Sequence, residues 1–181
     1  MEFPEKHRLI VDDLMNGRFI LSRESHFEIL RKEEEMYIEF FKRSFGHQLI
    51  IKQEYAYLIS EETDENISRD ISIFFAILCY ELDKEGTNFL DGLQYSEYSF
   101  EEVNLLFENS SYLDLILNNK QLKDFDSRRR LLFTTMNKKN IIEKINDDRF
   151  YFTAAYKVFI DFAKELAEGK QFGNDIGQFV T

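Results

Sequence analysis

The sequence predicts a mainly α-helical chain with small β-hairpins, an α+β fold built from tandem winged-helix domains. Three observations predict it. One proline and seven glycines among 181 residues leave long stretches without helix breakers. Two runs rich in β-branched and aromatic residues, "LIIKQEYAYL" from Leu49 and "IIEKINDDRFYF" from Ile141, read as hairpins. The runs match each other. Each carries aliphatics, a lysine (Lys52, Lys144), a polar turn and an aromatic-x-aromatic triplet (Tyr55/Tyr57, Phe150/Phe152), and each follows a helix with a basic end (Lys42-Arg43, Lys138-Lys139). They lie 92 residues apart, half a chain. Helices, a short strand, a helix and a hairpin is the winged-helix order. The expected organisation is an N-terminal winged-helix domain over 1–62, a C-terminal one over 63–168, and a loose Gly-spaced tail over 169–181.

The elements follow in order. Pro4 suits the first turn of a helix through Met15, stopped by Asn16-Gly17. "RFIL" is a short strand, and Ser22 is the expected cap of helix through Phe45, broken once near Leu30–Glu34. The first hairpin pairs Gln48–Lys52 with Tyr55–Ile59, and the acidic "SEETDEN" joins the halves. Ile71, Phe74, Phe75, Leu78 and Leu82 share one face of a helix over Ile67–Lys84. Asn88–Tyr98 is mixed, with room for a short strand. "SFEE" is a capping box: the Ser99 side chain bonds the Glu102 amide and Glu102 reaches back. Its helix runs to Asn109, and a shorter one covers Ser111–Leu117. A helix over Ser127–Lys139, capped by Asp126 or Ser127, leads to the second hairpin, Ile141–Ile145 with Arg149–Thr153. The last helix, Ala154–Glu168, stops at Gly169.

Composition narrows the function. Net charge is −11 with a pI near 4.8, which argues against general coating of nucleic acid. The one cysteine, Cys79, lies in the apolar run "FFAILCYEL" and reads as a buried small hydrophobe; no internal disulfide is possible. Met1–Asp13 is charged and shows no signal-peptide pattern, and no apolar run approaches the roughly 20 residues of a membrane span. No catalytic constellation emerges. His7, His26 and His47 are scattered without metal-ligand spacing. Phosphate loop, nucleophile elbow and paired CxxC are absent. No enzyme, metal or cofactor is expected.

One stretch departs from the acidic background. "DSRRRLLFTTMNKKN", Asp126–Asn140, lies in a segment whose local charge over Lys120–Asn140 is +5. At 100° per residue Leu132, Phe133 and Met136 face the core. Arg130, Thr134, Asn137 and Lys138 fall on the opposite side, flanked by Arg128 and Lys139; Arg129 falls in the apolar sector. Lys144 and Arg149 on the second hairpin add cations. Such a surface supplies donors for phosphates and base edges. Asp124, Asp126, Asp147 and Asp148, or an acidic protein partner, offer an alternative use for the same charge. The corresponding first-half helix, Arg31–Phe45, begins "RKEEEM", and its glutamates repel phosphate.

The runs "LMNGRFILSRESHFEILRKEEEMYIEFFKRSFGHQLIIKQEYAYLI" and "DSRRRLLFTTMNKKNIIEKINDDRFYFTAAYKVFIDFA" resemble the MukE/MksE subunits, the kite subunits of bacterial condensin-like complexes. The resemblance covers about residues 10–165. It rests on the order of elements, the "GRFIL" entry strand, the "FGHQLI…YAYLI" wing and the "RFYFT" wing. It implies no enzymatic activity. It implies a subunit that binds a kleisin (MukF/MksF-like) and helps assemble it with an SMC ATPase (MukB/MksB-like), as a homodimer in the cytoplasm on the nucleoid. Its role is chromosome organisation and segregation or plasmid defence. DNA contact is expected to be weak and non-specific, through Arg128, Arg130, Thr134, Asn137, Lys138, Lys139, Lys144 and Arg149. Tyr95, Tyr98 and Tyr112 are the candidate partner-binding side chains. The competing expectation is a free-standing dimeric winged-helix transcription regulator.

Overall fold

The computed structural model describes residues 3–60, 65–86 and 88–167. The chain divides into two compact units between Ser68 and Arg69. Both are mainly helical, and each carries one three-stranded antiparallel sheet. The expected tail over 169–181, and most of the acidic joint at 61–64, lie outside the described residues.

In the first unit, α1 (His7–Met15) turns Ile10 and Leu14 inward, both without solvent exposure. Gly17, at φ 68, turns the chain into β1 (Ile20–Leu21). Helices α2 (Ser25–Lys32) and α3 (Glu34–Phe45) meet at Glu33, inside the break expected from sequence. The cap of α2 is not Ser22. The Ser22 amide extends the sheet by bonding the Glu54 carbonyl at 2.8 Å, so the helix starts beyond it, with Glu24 at the cap position. Gly46, at φ 70, ends α3 in the left-handed conformation that glycine adopts freely. β2 (Gln48–Ile51) and β3 (Tyr55–Ile59) then form the predicted hairpin. β3 is central, pairing Ile20 with Ala56 on one side and Leu49 with Leu58 on the other. Its core joins Phe27, Leu30, Tyr37 and Phe41 to the apolar faces of α1 and the sheet.

The second unit repeats that layout with additions. α4 (Glu65–Lys84) buries Ile71, Phe74, Phe75 and Leu78 completely. Cys79 is half-buried, more open than its apolar run suggests. The expected mixed stretch is mostly helix, α5 (Phe89–Tyr95), because the Asn88 side chain caps it through the Leu90 and Asp91 amides. β4 (Tyr98–Ser99), α6 (Phe100–Glu108), α7 (Leu113–Asn118) and α8 (Phe125–Arg130) follow. Glu81 ties α4 to the turn after α6, accepting from the Ser110 hydroxyl at 2.6 Å and the Ser111 amide at 3.2 Å.

α8 continues into a π turn, Leu131–Met136, rather than remaining α-helical to Lys139. It also starts before Ser127: the cap is Asp124, whose carboxylate accepts the Ser127 amide at 2.7 Å. The segment closes on Asn140, at φ 63, a conformation asparagine tolerates. The Ile141 amide reaches the Met136 carbonyl at 2.9 Å and the Asn140 amide the Asn137 carbonyl at 3.0 Å, a Schellman closure without glycine. β5 (Ile142–Lys144) and β6 (Arg149–Phe152) form the second hairpin, with β6 central between β4 and β5. α9 (Tyr156–Ala167) ends the described chain. Phenylalanine rings fill this core: Phe74 stacks on Phe107 at 5.0 Å, and Phe75 lies 5.1 Å from Phe152 and 5.8 Å from Phe159.

The predicted capping box is present, with Ser99 Oγ accepting from the Glu102 amide and Glu102 Oε2 accepting from the Ser99 amide at 2.8 Å. Hydrogen bonds from the Ser99 amide and hydroxyl hold the Glu102 carboxyl below its ordinary range. A lowered folded-state value stabilises the unit above the unfolded-state value, and that contribution is lost as pH falls through the folded value. Ser99→Ala should therefore cost about 1 kcal/mol in urea unfolding at neutral pH. The difference from wild type should shrink once the pH drops below the usual carboxylate range.

Candidate nucleic-acid interface

The basic segment is positioned by what it buries. Ser127, Arg128, Leu131, Leu132 and Met136 are buried, so the helix cannot rotate about its own axis. Arg128 was expected among the outward cations; it points inward. Only 4% of it is exposed. Its Nε donates to Asn104 Oδ1 at 2.8 Å, Nη1 to the Leu122 carbonyl at 2.7 Å, and Nη2 approaches Glu108 Oε1 at 3.4 Å. Asn104 completes the network by donating to Glu108 at 2.9 Å. Burial pulls the Arg128 guanidinium below its ordinary value, while Glu108 and Asp124 act the other way. Its donors are spent inside the unit and offer nothing to the outer surface.

Arg129 lies across Phe100 and Phe133, 5.3 and 5.0 Å from the ring centres, and donates to the Asp147 carbonyl at 2.6 Å. It braces the helix against the hairpin turn. Arg130, Thr134 and Lys138 are exposed, and Asn137 is half-buried beside them. Among the described residues no carboxylate pairs with Arg130 or Lys138. Of the nearby acids, exposed Asp126 stands one turn before Arg130 without forming an ion pair with it, and two others are engaged elsewhere. Asp124 caps α8, and Asp147 sits 3.6 Å from Lys144. Lys139 is half-buried and already engaged within the chain.

The hairpin cations are held more loosely. Lys144 Nζ lies over Phe133 at 5.2 Å as well as near Asp147. Arg149 pairs with Glu97 at 3.3 Å, with about half of each side chain exposed. Exposed pairs of this kind are worth little and exchange readily. The second unit therefore presents two uncompensated cations on the helix and two weakly paired ones on the hairpin.

The three candidate tyrosines separate. Tyr95 is 76% exposed at the end of α5, and Tyr112 is exposed with its edge against Tyr80 at 4.9 Å. Tyr98 is buried, 5.4 Å from the Phe152 ring; burial pushes its hydroxyl up to about 12, with Cys79, Glu102 and Tyr156 adding to the rise. It is a core residue of the second sheet.

One cluster escaped the sequence reading. Asp13, Glu24 and His26 bring ligand atoms within 4.8 Å of one another in the first unit. Arg18 already sits among them, donating to Asp13 at 3.0 Å and Glu24 at 2.6 Å, while His26 bonds Asp13 at 3.0 Å. The guanidinium supplies the positive charge, and the cluster fastens α1, β1 and α2 together. Only the three-dimensional proximity reveals it; the spacing 13, 18, 24, 26 carries no ligand motif. Among the described residues no helix is long and apolar enough to cross a membrane.

Removing Arg128 should be costly, because it leaves the Asn104 and Leu122 oxygens buried without donors. Arg128→Ala should lose about 3 kcal/mol in urea unfolding, whereas exposed Arg130→Ala should stay within about 0.5 kcal/mol of wild type. Equal losses would contradict the inward placement.

A family model for condensin complex protein MksE matches residues 5–164. No curated protein matches the chain.

Proposed function

Because the chain belongs to the condensin complex protein MksE family, we propose that it is a non-catalytic subunit that binds a kleisin of MukF/MksF type and joins it to an SMC ATPase of MukB/MksB type. The family match over residues 5–164 carries this reading. The complex would organise and segregate the chromosome or act against plasmids, with this subunit a cytoplasmic, nucleoid-associated homodimer. Tandem winged-helix domains are supported by the repeated layout: each sheet has the same order, with the last strand of its hairpin in the centre. Tyr95 and Tyr112, large exposed aromatic side chains, are the surfaces offered to the kleisin. Tyr98 leaves that set.

We assign weak, sequence-independent DNA contact to the second unit, through Arg130, Thr134 and Lys138 with Lys144 and Arg149 on the hairpin. Buried Arg128 leaves this group, as do half-buried Asn137 and Lys139. The availability of Arg130 and Lys138 supports the assignment, since a phosphate meets them without displacing an internal partner.

Affinity purification from the native cell, read by mass spectrometry, should recover a kleisin and an SMC ATPase with this chain. A chain that comes down alone and footprints one palindromic operator would overturn the reading in favour of a transcription regulator. For the DNA face, four phosphate contacts give a slope of log affinity against log salt near −3.6, taking about −0.9 for each. Titration of a random-sequence duplex at several salt concentrations should give that slope for the wild type, and roughly half of it for Arg130→Glu with Lys138→Glu. Unchanged affinity in the double variant would remove this helix from the DNA reading.

A further inference from the structure

Exposure along the basic segment has an unusual period. Asp126, Arg130, Thr134 and Lys138 are exposed, and nothing between them is. Arg128, Leu132, Met136 and Asn140 are buried at the same spacing of four. A straight α-helix does not sustain that pattern. Four residues turn about 400°, so each step drifts about 40°, and three steps drift about 120°. The apolar line would wander to the surface and the polar line into the core.

The π turn at Leu131–Met136 removes the drift. Its i→i−5 bonding, seen where the Asn137 amide reaches the Leu132 carbonyl, takes up one extra residue. One residue is about 100° of rotation, which cuts the drift from Asp126 to Lys138 to about 20°. Arg130, Thr134 and Lys138 then stand in a nearly straight row. Asn137, one residue before Lys138, turns away from the row and is half-buried. The Thr134 hydroxyl makes no hydrogen bond among the described residues, including the bond to a preceding carbonyl that helical threonines often form.

We infer that Thr134 is the middle contact of a three-rung ladder, Arg130–Thr134–Lys138, that the π turn aligns along the phosphodiester backbone of DNA. The inference rests on the DNA reading above. A row of cation, hydroxyl and cation matches a line of phosphate oxygens, which accept from all three. Readers of base edges need to fan across a groove instead, and Asn137, the side chain best suited to that task, lies off the row. Asp126 ends the ladder, since a carboxylate on the same line repels the next phosphate.

The test uses the full chain and a labelled random-sequence DNA duplex, titrated at several salt concentrations. Thr134→Val keeps the shape and removes the hydroxyl. Its affinity should fall by about tenfold, with the salt slope unchanged because no counterion-releasing charge is lost. Thr134→Lys places a third cation in the row, and the slope should steepen by about 0.9. Thr134 is exposed, so the melting temperature of both variants should hold. If Thr134→Val binds like wild type while the Arg130 and Lys138 reversal weakens binding, the ladder is overturned and the DNA reading stands. If neither variant changes binding, the DNA reading falls and the ladder with it. A shallower slope in Thr134→Val would mean that the substitution had disturbed the cations, and would overturn the middle-rung role.

Discussion

The buried guanidinium of Arg128 sets the rotation of the one basic helix. A charge taken out of water is tolerated only where its donors are met. Asn104 and Glu108 on α6, together with the Leu122 carbonyl, meet them on one side of α8 only. With Arg128 held there, the π turn keeps Leu132 and Met136 on the same side at their spacing of four. Arg130 is then forced outward. Three consecutive arginines thus do three different jobs: Arg128 anchors, Arg129 braces two phenylalanine rings, and Arg130 reaches solvent. The anchor also makes α6 a positioning element, because its amide and carboxylate decide where the neighbouring helix can point.

The two halves show how one layout serves different surfaces. Both sheets place the last hairpin strand in the centre, so both hairpins pair with the short first strand of their unit. The helix before the hairpin then diverges. In the first unit α3 opens with Glu34 and Glu35 and pairs Arg43 with Glu39 on its own surface. Of the two cations in its last turn, Arg43 is thus compensated within the helix. In the second unit Asp124 caps the helix, Asp147 on the hairpin turn lies near Lys144, and neither Arg130 nor Lys138 has an ion-pair partner among the described residues. The backbone differs as well, since α3 is α-helical throughout whereas the second helix carries the π turn.

Features with local causes were legible in the sequence. The two hairpins, the capping box at Ser99 and the α4 core face each depend on residues within a turn or two, and pattern reasoning reaches that far. The π turn was not legible, because a constant 100° per residue is the very assumption it breaks. That assumption placed Asn137 on the exposed arc and left the period of four unseen. Arg128 and Tyr98 were misplaced for another reason. Their partners are distant in sequence: Asn104 lies 24 residues before Arg128, and Phe152 closes on Tyr98 only when β4 and β6 pair. A lone sequence shows that an arginine is present, not that a carbonyl and an amide await it. The Arg18 cluster is closer in sequence, with Asp13 and Glu24 only 5 and 6 residues from Arg18, but its residue types follow no motif spacing.

Long-range charge decides how such a small patch can work in a chain of net −11. Averaged over the surface, the molecule repels a polyanion, and far encounters are discouraged. Screening changes the balance at close range. At physiological salt the Debye length is about 8 Å, so exposed acids farther away than that hardly act on a docked phosphate. Direct contact with Arg130 and Lys138 is barely screened by comparison. The net acidity disfavours coating of DNA by the other faces; on the proposed reading, a partner complex would supply the encounter that the chain's own field does not. On the proposed DNA reading, a local basic row in an acidic protein suits a subunit that binds nucleic acid weakly by itself and gains its encounters from assembly.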